Sequence, residues 1–111
     1  MSGILTEPTE RAPVTTLPAI TSEQMREIDR LMIERVGIAL LQMMENAGRN
    51  LAELVRRLWP EDLRRGVVVL AGKGGNGGGA IAAGRHLRNR GAEVTILLSE
   101  RRSRLSEAAA L

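Results

Sequence analysis

Apolar residues recur along this chain first at a helical period and then in short unbroken runs, and that change predicts its architecture. Met25, Ile28, Met32 and Val36 fall three or four apart and predict a first helix over about 22–35. Thr21-Ser22-Glu23-Gln24 ahead of it is a capping box, with the Thr21 hydroxyl accepting from the Gln24 amide and the Gln24 side chain returning to the Thr21 amide. Gly37 then stands where a helix releases into a turn. Leu40, Met44, Ala47, Leu51, Leu54, Val55 and Leu58 predict a long amphipathic helix over about 39–58, which Trp59-Pro60 ends because the residue before proline is forced out of helical geometry.

Beyond a polar connector, Glu61 to Gly66, the period disappears. Val67-Val68-Val69-Leu70-Ala71 is a continuous apolar run rich in branched residues, which predicts a strand buried on both faces. A glycine-rich stretch follows, then a helix over Ala80 to Arg90 closed by Gly91, then a second buried strand over Glu93 to Leu98. Strand, glycine loop, helix and strand make one right-handed crossover between parallel strands across 66–98. Ser103 to Leu111 opens a further helix, while residues 1–20 hold three of the four prolines without apolar periodicity and read as a flexible leader. Two parallel strands alone leave apolar faces and edges bare. The reading is therefore a fragment of a larger domain, or a sheet completed by a second chain or a second copy in a homodimer.

Composition narrows the chemistry. At 111 residues, 43% hydrophobic and 26% charged, the chain has room for one globular domain. It has no cysteine, which removes disulfides, thiolate metal sites and cysteine nucleophiles. No apolar stretch approaches the roughly 20 residues of a membrane span, so a soluble, cytoplasmic protein without a membrane partner is expected. The net charge of +3 is spread over scattered arginines, densest at Arg101, Arg102 and Arg104, and Trp59 is the sole aromatic residue. Without stacking platforms, nucleic acid is disfavoured, and mild basicity suits a small anionic ligand.

The chemistry concentrates in Gly72-Lys73-Gly74-Gly75-Asn76-Gly77-Gly78-Gly79, six glycines in eight residues between strand and helix. Glycine permits positive φ and close approach of backbone to ligand, and the following helix start offers unpaired amides to phosphate. A P-loop is excluded, because the stretch does not end in Gly-Lys-Ser/Thr. A dinucleotide fingerprint is met by Gly72 to Gly77, with Glu100 near the position of a ribose-binding acid, and stands as the alternative. His86, the single histidine, reads as a helix-surface group, the five methionines as core filler and Trp59 as a packing anchor.

The order of Ile20-Thr21-Ser22-Glu23-Gln24-Met25-Arg26, Met44-Glu45-Asn46-Ala47-Gly48, the glycine loop, Ala82-Ala83-Gly84-Arg85-His86-Leu87 and Gly91-Ala92-Glu93-Val94-Thr95 resembles the NAD(P)H-hydrate epimerases, or YjeF N-terminal domains. The resemblance covers most of 21–111 and implies a Rossmann-like three-layer α/β/α sandwich, here truncated to two N-terminal helices and one β-α-β unit. It also implies interconversion of the R and S forms of hydrated NADH or NADPH, with a potassium ion in the site. On the family's loop pattern Asn76 matches a potassium-site asparagine, and Gly75, Asn76, Gly77, Gly78 and Gly79 match the stretch that touches the hydrated nucleotide. Gly75 and Gly79 stand where the family carries asparagine and aspartate, so two polar side chains are missing. The family's acid-base aspartate lies beyond the aligned part, so no catalytic residue carries over. Glu45 and Asn46 read equally as surface groups or as neighbours of the active site. A non-catalytic nucleotide-binding or scaffold module is the competing function.

Overall fold

The structure, a computed structural model, describes residues 17–111. Residues 1–16 of the expected leader lie outside the described part, and 17–20 run exposed without helix or strand. Helix α1, Ser22–Leu31, begins at the capping box read from the sequence: Gln24 N donates to Thr21 Oγ1 at 3.1 Å and Thr21 N to Gln24 Oε1 at 2.8 Å. It passes directly into a π-helical turn, Met32–Val36, that ends at Gly37 with φ +79°, a left-handed conformation that glycine adopts without side-chain strain. Helix α2, Leu40–Leu58, is followed by a short 3₁₀ turn, Asp62–Arg65. Strand β1, Val67–Ala71, helix α3, Gly75–Asn89, and strand β2, Val94–Leu98, form the crossover unit. A 3₁₀ turn, Arg102–Arg104, leads to the single turn α4, Glu107–Ala110, capped by Ser106.

The two strands pair in parallel, with Val67 opposite Val94 and Ala71 opposite Leu98. Helix α3 lies on the face formed by Val67, Val69 and Ala71, and Gly84 is the reason it fits there. A Cβ at Gly84 would sit 3.1 Å from Val69 Cγ2 and 3.3 Å from Val94 Cγ1, tighter than ordinary contact. On its other side α3 meets α2, so that Ala52, Ala83 and Leu87 form the core, flanked by Val55, Leu63, Val67, Ala92 and Val94. Burial of a leucine such as Leu87 contributes about 1.5–3 kcal/mol.

Several expectations are corrected by packing. β1 is buried on one face only: Val69 and Ala71 are covered, whereas Val68 and Leu70 are 61% and 74% exposed. Register puts Thr95 and Leu97 on that same bare face, and no residue of β2 is fully buried. Continuous apolar runs predict burial by whatever the whole sheet packs against, and the described residues cover one side. The leucine stripe of α2 is likewise exposed at 40, 51, 54 and 58, and the buried face is Met44, Gly48 and Ala52. α1 buries no residue. Of the methionines read as core filler, Met44 is buried and Met25 is exposed. Trp59 is half-buried beside Val55, Leu63 and Val67, as an anchor at the helix end requires.

Candidate nucleotide site

Helix α3 begins at Gly75, five residues earlier than the sequence predicts, so the glycine stretch is only partly a loop. Gly72 to Gly74 make the turn out of β1, and Gly75 to Gly79 form the first turn and a half of the helix. None of these glycines has positive φ; among the described residues only Gly37, Gly66 and Gly91 do. Conformational freedom is therefore not the reason for the glycines. Close approach is the reason at two of them. A Cβ on Gly77 would lie 1.7 Å from the Gly72 carbonyl oxygen, and one on Gly78 would lie 2.4 Å from Met44 Sδ and 3.3 Å from Ala109 Cα. At Gly72, Gly74, Gly75 and Gly79 an added Cβ would meet nothing within 4 Å.

This geometry divides the five expected nucleotide contacts. Gly78 N donates to Gly74 O at 3.0 Å, the first bond of the helical ladder. The amides of Gly75, Asn76 and Gly77 precede it and are the unpaired first-turn donors, at the positive end of the helix dipole. Gly75 and Asn76 are exposed, and Gly77 is buried with its Cα toward the Gly72 carbonyl. Gly78 faces α2 and α4, and Gly79 is half-buried one residue further into the helix.

The donors stand at the carboxyl ends of two parallel strands, the place where open α/β sheets receive ligands. A cleft of about 360 Å³ lies there, lined by Leu70, Ala71, Gly72, Leu97, Leu98 and Ser99. Its walls are apolar, with one hydroxyl. Two hydrogen bonds hold the rim: Ser99 N donates to Ala71 O at 3.0 Å, and Ser106 N donates to Lys73 O at 2.8 Å. The second pins the chain after β2 against the glycine turn. Glu100 is half-buried within that segment.

Behind the loop, a larger cleft of about 430 Å³ separates α2, α3 and α4. Glu45 on α2 lies at its edge and accepts from Arg85 on α3, and His86 Nε2 stands 2.7 Å from the same Glu45 oxygen. The Arg85 guanidinium, with His86 beside it, holds the Glu45 carboxyl below the ordinary 4.5. Glu45 is thus a cross-helix tie. Asn46 is exposed, with its side chain 3.4 Å from Arg49. His86 is mostly buried rather than a free surface group, with 18% of its side chain exposed. No local pattern in the sequence marks this cluster, because Glu45 and His86 are 41 positions apart. The signal for it was an acid on one apolar helix face and an Arg-His pair on the other.

The model of the YjeF-related protein N-terminus matches residues 40–111, from the first turn of α2 through the loop to α4. The chain belongs to this YjeF-related family. An NAD(P)H-hydrate epimerase of Dehalogenimonas lykanthroporepellens is 58% identical over 84 residues, which cover 74% of this chain and 34% of the relative. An NAD(P)H-hydrate epimerase of Rhodopirellula baltica is 46% identical over 85 residues, covering 77% and 34%. The crystal structure of the yeast protein YNL200c superposes with a TM-score of 0.68 at 33% identity, over 84% of this chain and 41% of the yeast chain. This YjeF-related chain thus spans about a third of the length of these curated relatives. The likeness bears out the Rossmann-like α/β class read from the sequence.

Proposed function

We propose that this chain is the nucleotide-loop portion of an NAD(P)H-hydrate epimerase, acting in the cytoplasm on the R and S forms of hydrated NADH or NADPH. The observation that carries the reading is the unpaired first turn of α3, which follows the turn out of β1 at the carboxyl ends of the two strands, where Gly72 of that turn lines a cleft. Backbone amides of Gly75, Asn76 and Gly77 receive pyrophosphate oxygens, because they are preorganised donors that need no side chain. Leu70, Leu97 and Leu98 supply an apolar wall along the ligand. Gly78 and Gly79 contribute by letting the helix start lie close to α2 and α4, and by leaving room beside the ligand.

Epimerisation at a ring carbon needs a positioned acid or base. The cleft lining carries no titratable side chain, so this chain's part is binding and orientation, with the acid-base carboxylate supplied by the family's second half. Asn76 is proposed as one potassium ligand. One neutral amide oxygen is not a cation site by itself, and the described residues hold no group of three His, Cys, Asp or Glu side chains for a metal. Gly75 and Gly79 add no side-chain oxygen, and the positive helix end opposes a cation. No step of the reaction is therefore routed through the ion. The remainder of the bare sheet face, at Val68 and Thr95, is proposed to be covered by the rest of a full-length domain or by a second chain.

The open space at Gly75 and Gly79 favours a second reading, a nucleotide-binding module without turnover. One experiment separates them: a full-length domain that joins this chain to the family's second half is incubated with the R hydrate of NADPH, the epimers are separated by chromatography, and NADP binding is measured in parallel. Epimerisation above the spontaneous rate supports the enzyme. Saturable NADP binding without it supports the binding module, and neither result overturns both.

A further inference from the structure

We propose that the turn carrying Arg101 and Arg104, together with Lys73, recognises the additional phosphate that distinguishes hydrated NADPH from hydrated NADH. This rests on the nucleotide reading above and adds the specificity of the same site. The placement comes from two backbone hydrogen bonds. Ser99 N is held to Ala71 O at 3.0 Å and Ser106 N to Lys73 O at 2.8 Å, so segment 99–106 is fastened at one end to the last residue of β1 and at the other to the glycine turn. Between those ends the 3₁₀ turn Arg102–Arg104, closed by Arg104 N to Arg101 O at 2.8 Å, gathers three arginines into four residues. Lys73, the sole lysine of the chain, lies in the turn to which that segment is pinned.

Clustering sets these cations apart. Arg30, Arg56, Arg57, Arg65, Arg85 and Arg90 each have a carboxylate within 4.0 Å. Among the described residues Lys73, Arg101, Arg102 and Arg104 have none, although Glu100 and Glu107 lie in the same stretch of chain. Arg26, Arg35, Arg49, Arg64 and Arg88 also have no carboxylate within 4.0 Å among the described residues, but they are spread singly over separate elements. Arg102 donates to Ala110 O at 3.5 Å and serves the turn's own structure, while Arg101 and Arg104 are exposed. Exposed guanidinium groups present paired donors that match phosphate oxygens. In a dinucleotide laid over a strand-loop-helix unit, the segment after the second strand is where the adenosine ribose falls, and arginine there accommodates a 2′-phosphate. Glu100 sits at the head of that segment, where a carboxylate suits the free 2′-hydroxyl of hydrated NADH and opposes a 2′-phosphate, so the proposal requires the two exposed arginines and Lys73 to outweigh it.

The test is binding of NADP and of NAD to the chain and to the double variant Arg101→Gln/Arg104→Gln, by calorimetry at fixed low salt. Arg64→Gln, an exposed arginine before β1, serves as the control. The expected result is tighter binding of NADP than of NAD, and a loss of roughly tenfold per arginine for NADP with less than about threefold for NAD, the size of a charge-assisted contact. The Arg64→Gln chain should match the parent. Equal losses for NADP and NAD would mean that the arginines meet the pyrophosphate or act through their field, and would overturn the proposal. Unchanged NADP affinity in the double variant would overturn it and leave the nucleotide reading standing. A parent chain that binds neither nucleotide would overturn that reading and this proposal together.

Discussion

Replacing Gly48 by alanine tests the helix contact that positions the loop. A methyl group at 48 would stand 2.5 Å from Ala82 Cβ, 2.8 Å from the Gly79 carbonyl oxygen and 2.9 Å from the Ala83 amide nitrogen. Two of the three are backbone atoms, so no rotamer change relieves them, and α2 must withdraw from α3 by about 1 Å to restore ordinary contact distances. Overpacking of this kind costs about 1–3 kcal/mol, toward the upper end where backbone must shift. Alanine in place of a mid-helix glycine returns roughly 1 kcal/mol of helix propensity. The expected net loss is about 1–2 kcal/mol, which lowers Tm by roughly 4–16 °C in a domain of this size. Gly79→Ala is the paired control. It lies in the facing helix with no neighbour within 4 Å of an added Cβ, so only the propensity gain remains, about 0.5–1 kcal/mol of added stability. Thermal and urea melts followed by circular dichroism measure both. A Gly48→Ala chain as stable as the parent, alongside a stabilised Gly79→Ala chain, would refute the close approach of α2 and α3.

Gly77→Ala should abolish the upward shift in melting temperature given by NADP, because its methyl cannot coexist with the Gly72 carbonyl 1.7 Å away and the turn must open; an undiminished shift would remove Gly77 from the site. Gly75→Asn with Gly79→Asp should fold as stably as the parent to within about 1 kcal/mol, since both positions are open and both residues are slightly better helix formers than glycine. If the site is a decayed enzyme, the same pair placed in a full-length domain should raise the epimerisation rate, and an unchanged rate would favour the binding module. The Glu45 carboxyl is held low by Arg85 first and His86 second, so its stabilising charge is complete above pH 4.5 and is lost as pH falls below that value. Melts from pH 7 to 3 should therefore show a shallower acid decline for Glu45→Gln than for the parent, and parallel declines would show that the tie contributes nothing.

Local chemistry was legible wherever the cause is local. The capping box at Thr21, the turn at Gly37 and the end of α2 before Pro60 follow from groups within a few residues of one another, and the structure has each of them. α3 starts earlier than the sequence predicts, because glycine lowers helix propensity and a run of glycines reads as loop. Helix forms from Gly75 all the same, since Gly77 and Gly78 let that turn pack against Gly72, Met44 and Ala109. Tertiary contact there outweighs propensity.

The amino-acid order by itself determined the succession of elements, the parallel strand-loop-helix-strand unit and the presence of an anion-ready helix start between the strands. Each depends on periodicity and on steric rules that act over short stretches. Which glycines serve packing and which leave space, that Glu45 ties to Arg85 and His86, and that the arginine turn is fastened to Lys73 were decided only in three dimensions. These facts depend on residues tens of positions apart meeting at one place. No pattern along the chain records which apolar face will find itself covered, and so the apolar stripe of α1 stands exposed, as does the outer face of β1 that reads as buried.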